Sequence, residues 1–188
     1  MVRFTSQKLQ DIHILIDDTS TPQSSPAIGP NPRFSDLLRD FKLLLAFGFG
    51  SGLSPIVPGT MGTLSAVPFM LALLLLPLPA YLLCLLVASV FGVYLCGYAS
   101  KRLGVHDHKG IVWDEYVGLW ITFIAVPVSW QTLLAGFVLF RFFDMVKPWP
   151  ISIADRKIHG GLGIMLDDIL AGSAAWALMQ LAMWYQLI

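Results

Sequence analysis

Asp114, Glu115, Asp144, Asp167 and Asp168 stand within or beside strongly apolar stretches, in a chain where only 13% of residues are charged. An ionised side chain at bilayer depth is costly unless it is paired, hydrated or metal-bound, so acids placed this way mark functional positions. Hard oxygen ligands gathered in this number suit Mg²⁺ or a similar cation. Arg141, Asp144 and Lys147 recur every third residue in RFFDMVKPWP, which on a helix gives one broad face. Such a face is either an internal salt-bridge ladder or a place where metal and phosphate are held together.

Asp114 and Glu115 begin an apolar segment, where the helix dipole favours negative charge. Neighbours on a helix point about 100° apart, so at least one of the two faces the interior of a bundle. Asp167 and Asp168 repeat that arrangement at the start of the last apolar segment, after Gly160, Gly161 and Gly163. Upstream, GFGSGLSPIVPGTMGT offers Gly48, Gly50, Gly52, Gly59 and Gly62 with the hydroxyls of Ser51, Ser54, Thr60 and Thr63. A loop of this kind before a helix can present N–H groups to an anion, or it is simply a capped turn. No Gly-Lys-Ser/Thr element of the Walker type is present. His106 and His108 read as solvated loop histidines, and Cys84 and Cys96 as packing residues inside an apolar run.

The elements that must position these residues are helices. The composition is 56% hydrophobic with mean hydropathy +0.70, and the net charge is zero, which disfavours nucleic acid as a partner. Five apolar stretches lie at about 63–76, 80–100, 111–127, 131–147 and 164–187, long and Leu/Ala-rich rather than alternating. The fold expected is an all-α, compact helical membrane bundle of about four to five apolar helices. The first stretch is short and followed by Pro77 and Pro79, as in a half-span or half of a helical hairpin. Residues 1–35, polar and rich in turn formers, form a flexible N-terminal tail on this reading; 36–188 form the membrane-embedded domain, and no cleaved signal peptide is expected. With the stretches alternating across the bilayer, all twelve Lys and Arg fall on one side, in the tail, the turns at 101–110 and 148–163, or the adjoining helix ends. The positive-inside rule makes that side cytoplasmic, and all twelve acids share it.

GSGLSPIVPGTMGTL (50–64), IVWDEYVG (111–118), RFFDMVKPWPI (141–151) and HGGLGIMLDDILAG (159–172) closely resemble, in order, the blocks of the phosphatidylglycerophosphatase A family of bacterial membrane lipid phosphatases. The resemblance implies a phosphoric monoester hydrolase that removes the terminal phosphate of phosphatidylglycerophosphate to give phosphatidylglycerol. It implies Mg²⁺ as cofactor and a site at the cytoplasmic face of the inner membrane. Asp114, Glu115, Asp144, Asp167 and Asp168 are then the catalytic and metal-binding candidates; Arg141 and Lys147, with Ser51, Thr60 and Thr63, are the phosphate-binding candidates. Trp113 and Trp149 suit the headgroup level. The small surfaces at Ala171, Gly172, Ala174 and Ala175 serve helix contacts within one chain or between copies, which leaves a homo-oligomer open. Two other classes compete: a divalent-cation transporter, which would spread its acids toward the bilayer midplane, and a non-catalytic membrane interaction protein.

Overall fold

The computed structural model describes residues 29–149, 151–152 and 158–187, and their regular structure is entirely helical. Two short helices, α1 (Phe34–Arg39) and α2 (Phe41–Ala46), lead into a 3₁₀ segment at Gly48–Leu53. Five longer helices follow: α3 (Pro58–Leu73), α4 (Leu78–Leu103), α5 (Trp113–Thr122), α6 (Trp130–Val146) and α7 (Gly161–Trp184). Most of the expected tail lies outside the described residues, and Phe34 and Ser35 already belong to the first turn of α1.

Local chemistry accounts for the boundaries. Asp40 ends α1 and caps α2 by accepting from the Leu43 amide. Pro58 opens α3 at a position where its missing N–H costs nothing, and Pro79 does the same for α4. Gly104 ends α4 at φ 70°, with Lys101 and Arg102 in the last turn beside the exposed carbonyls. Ser129 and Thr132 form a reciprocal capping box at the start of α6.

The five expected apolar segments all carry helix, but 111–127 yields only the ten residues of α5. At about 1.5 Å per residue that is about 15 Å, half of a hydrocarbon core of about 30 Å. Its apolar character has another cause: eight of the ten residues are buried by protein, because α3, α4, α6 and α7 all pack around it. The chain then turns through Ala125, at φ 55°. The freed carbonyl of Ile124 accepts from Trp176 Nε1 at 2.9 Å and from Gln180 Nε2 at 3.0 Å, so α7 satisfies the end of α5. Helices α3 and α4 meet chiefly through α5 rather than as a packed hairpin. Trp120 Nε1 donates to the Ala66 carbonyl on α3, while Tyr81 Oη on α4 donates to the Trp120 carbonyl at 2.6 Å.

Two helices, α4 and α7, are long and apolar enough to cross a membrane. Most of α4 is not core: Leu82, Leu83, Leu86, Val87, Val90 and Phe91 are exposed along it. A continuous apolar face of that length is a lipid-facing surface.

Candidate active site

The acids converge because of two glycines. Gly118 and Gly172 follow Asp114 and Asp168 by four residues each, one helical turn along α5 and α7. A Cβ on Gly172 would stand 2.3 Å from the Gly118 carbonyl oxygen, and one on Gly118 would stand 2.8 Å from the Asp168 carbonyl oxygen. Backbone therefore meets backbone directly beneath the acids, which brings the N-terminal parts of α5 and α7 together. Because α7 starts at Gly161, Asp167 and Asp168 stand in its second turn and reach the depth of Asp114. Asp114 and Asp168 are buried, and each lies in the electrostatic field of the other and of Glu115, Asp144 and Asp167.

Two cations are tied into this group. Arg141 Nη1 lies 2.6 Å from Asp144 Oδ2, one turn away on α6, and 3.1 Å from Glu115 Oε2 on α5. The same Glu115 oxygen accepts from the Thr63 hydroxyl at 2.5 Å and the Thr63 amide at 3.1 Å, while Arg141 Nη1 also donates to Thr63 Oγ1 at 3.3 Å. Thr63, Glu115, Arg141 and Asp144 thus knit α3, α5 and α6 together at one end of the bundle. The second cation breaks the expected pattern. Helix α6 stops at Val146, and Lys147 adopts a left-handed conformation at φ 44°, so the face of Arg141, Asp144 and Lys147 does not continue. Pro148 is the physical reason, since it disfavours the α region for the residue before it. Lys147 turns instead to α7, with Nζ 2.5 Å from Asp167 Oδ2.

Around this centre the expected phosphate-binding hydroxyls divide. Thr63 is in it, and Thr60 is half-buried in the same first turns of α3. Ser51 lies in a different network, donating to the Gly48 carbonyl at 2.9 Å and accepting from Ser65, which also bonds Tyr116 Oη at 2.8 Å. That network fastens the 3₁₀ segment, where Phe49 and Gly50 take positive φ, onto α5. Gly59, read as part of a loop before the helix, stands in the first turn of α3. A Cβ there would stand 2.4 Å from Glu115 Oε1 and 3.0 Å from Arg141 Nη2, so its lack of a side chain lets that pair pack directly against the α3 backbone. The loop histidines are bonded: His106 Nε2 accepts from the Gly160 amide at 2.8 Å, and His108 Nδ1 accepts from Gly110, leaving its Nε2–H to donate to the Pro30 carbonyl. His106, Asp107, His159, Gly163 and Asp167 line a cavity of about 320 Å³ beside the Lys147–Asp167 pair. Asp107, seven residues before Asp114, also lies in its field. Asp155, Arg156 and Lys157, read as part of a basic loop, lie outside the described residues.

The donor set suits a hard divalent cation. Among the described residues five carboxylates face two cations here, and Asp114 Oδ1 is buried with no hydrogen-bond partner among them, as is Arg141 Nε. An oxygen acceptor and an N–H donor left in this way are unusual unless a ligand meets them. Among the described residues no three acids or imidazoles are already drawn to ligating distance; Arg141 and Lys147 hold Glu115, Asp144 and Asp167 instead.

Residues 44–183, which include every element of this site, match the family described as Phosphatidylglycerophosphatase A. The chain belongs to that family. Among its relatives, Phosphatidylglycerophosphatase A of Escherichia coli (strain K12) is 58% identical over 130 residues, covering 69% of this chain and 76% of that protein. The protein of the same name from Haemophilus influenzae is 49% identical over 130 residues, 68% of this chain and 80% of its own. A Bacteroides thetaiotaomicron protein named as a candidate phosphatidylinositol-3-phosphatase is 38% identical over 149 residues, 76% of this chain and 93% of its own. No solved structure gives a significant match. With α4 and α7 each of membrane length, this family member is a multi-pass membrane protein.

Proposed function

We propose that this chain is a Mg²⁺-dependent phosphatidylglycerophosphatase, hydrolysing the terminal phosphate monoester of phosphatidylglycerophosphate to give phosphatidylglycerol. The observation that carries the reading is the meeting of acids from α5, α6 and α7 with Arg141 and Lys147 at one end of the bundle. The clustering of basic residues toward that end supports a cytoplasmic face of the bacterial inner membrane.

Asp114 and Asp168, with Glu115, Asp144 and Asp167 beside them, would hold the metal. When bound, Mg²⁺ neutralises phosphoryl oxygens and favours water as a nucleophile. Arg141 presents a planar fork of N–H donors, its Nε still without a partner, and Lys147 a point charge; together they bind the dianionic phosphate. A carboxylate of the cluster takes the proton of the attacking water as the new P–O bond forms, and gives it to the glycerol oxygen as its bond to phosphorus breaks. Thr63 fixes Glu115 and Arg141 relative to one another, and the bare backbone at Gly59 lets both pack against α3.

The test is phosphate release from phosphatidylglycerophosphate by the purified protein in detergent, with Mg²⁺ and with EDTA, beside Asp114→Asn and Asp168→Asn. Release should require Mg²⁺ and fall by roughly a hundredfold or more in each variant. Release that persists in EDTA, or that both variants retain in full, overturns the assignment.

A further inference from the structure

One apolar cavity continues the site into the bilayer. Between α3 and α6, with α5 as its floor, lies a groove of about 330 Å³ lined by Leu64, Val67, Met70, Leu119, Leu134 and Phe137, among others. Its lining is in register with the polar centre. Leu64 follows Thr63 on α3, Leu119 lies four residues beyond Glu115 on α5, and Phe137 lies four residues before Arg141 on α6. The three helices that join through Thr63, Glu115 and Arg141 therefore line an apolar trough one turn deeper. From Arg141 to Leu134 the trough descends about 10 Å, at about 1.5 Å per residue.

We propose that this groove holds an acyl chain of the substrate and so sets both the depth of its phosphate and a preference for long-chain lipid. The proposal rests on the phosphatase reading and extends it. The occupant follows from shape and chemistry. A helix from a second copy, about 10 Å across with its side chains, would seat only single side chains in a trough of about 330 Å³. A polar ligand finds no partner among these side chains, whereas a hydrocarbon chain matches them along its length. Lipid held here has its headgroup directed at Thr63, Glu115 and Arg141, which join the same three helices one turn above the groove.

The test compares dioleoyl with dihexanoyl phosphatidylglycerophosphate in mixed micelles, for the native chain and for Leu64→Trp and Leu134→Trp, which fill the groove from exposed positions. In the native chain kcat/KM should favour the dioleoyl substrate, and each Trp variant should lower that preference by about tenfold while leaving turnover of the dihexanoyl substrate near native. An unchanged preference, or an equal loss on both substrates, overturns the groove as an acyl site. A second readout needs no turnover: a phosphatidylglycerol carrying a diazirine on its acyl chain should label residues 130–137, with the label lost in Leu134→Trp. Labelling confined to the exposed face of α4 counts against the proposal. If the native chain releases no phosphate from either substrate, the phosphatase reading fails, and this labelling still decides whether the groove takes lipid.

Discussion

Gly172→Ala tests the geometric basis of the site without touching a charged group. The added methyl carbon would lie 2.3 Å from the Gly118 carbonyl oxygen, where ordinary contact begins near 3.4 Å, and backbone cannot rotate away as a side chain could. Helices α5 and α7 must therefore part by about 1 Å, carrying Asp168 away from Asp114. A misplacement of about 1 Å at reacting groups costs about 10²-fold in rate, whereas overpacking costs stability only about 1–3 kcal/mol. The expected result is kcat on phosphatidylglycerophosphate lowered by about two orders of magnitude, with the thermal midpoint in detergent lowered by roughly 2–4 °C per kcal/mol. Gly97→Ala is the control. It is also a glycine on a packed helix, but its Cβ would meet Gly161 at 3.5 Å, which is ordinary contact, so activity and midpoint should stay near native. Native kcat in Gly172→Ala, or equal damage in both variants, would refute the claim that this contact sets the spacing of the acids.

Two further substitutions address the groups around the acids. Gly59→Ala should lower kcat/KM by about tenfold or more with little change in thermal midpoint, because the new methyl displaces the flexible ends of Glu115 and Arg141 from the space they fill; unaltered kinetics would show that their placement against Gly59 does not matter. Lys147→Gly and Lys147→Ala should lose activity equally, since both remove the ammonium that pairs with Asp167. The glycine variant should be the more stable by about 1 kcal/mol because it relieves the left-handed backbone; a marked difference in activity would assign the role of Lys147 to its backbone.

Much of this was legible in the sequence, for reasons that differ by residue. Leu/Ala-rich runs reported the helices, and the rarity of charge made Asp114, Glu115, Asp144, Asp167 and Asp168 conspicuous. Hydropathy alone could not separate a segment apolar because it faces lipid, such as α4, from one apolar because protein encloses it, such as α5. Helical spacing placed Arg141 beside Asp144 correctly, yet it could not show that Lys147 leaves the helix, although Pro148 was the available sign. Ser51 and Thr63 looked alike as hydroxyls in one glycine-rich stretch. Which of them meets Glu115 depends on how the 3₁₀ segment folds over α5, a long-range contact that no local pattern encodes. Gly59, Gly118 and Gly172 matter for the atoms that occupy the space a side chain would need, and those atoms belong to other helices.

The same packing bears on the cation-transport alternative. A transporter that carried ions past Asp114 and Asp168 would need a polar route continuing beyond them toward the far side of the bilayer. What continues beneath the acids is closed backbone contact at Gly118 and Gly172, then the buried side chains of Leu119, Trp120 and Phe123. Among the described residues, polar atoms at that depth are committed to structure, among them Tyr81 Oη to the Trp120 carbonyl, Thr122 Oγ1 to the Gly118 and Gly172 carbonyls, and Trp176 to Ile124. The acids therefore sit over a floor that the described residues pack closely. The flank between α3 and α6 is apolar, suited to a hydrocarbon chain and not to a hydrated ion. A charged centre that is closed below and flanked by an apolar trough is the arrangement an amphiphile requires, with its phosphate held at the charges and its tail left in the membrane.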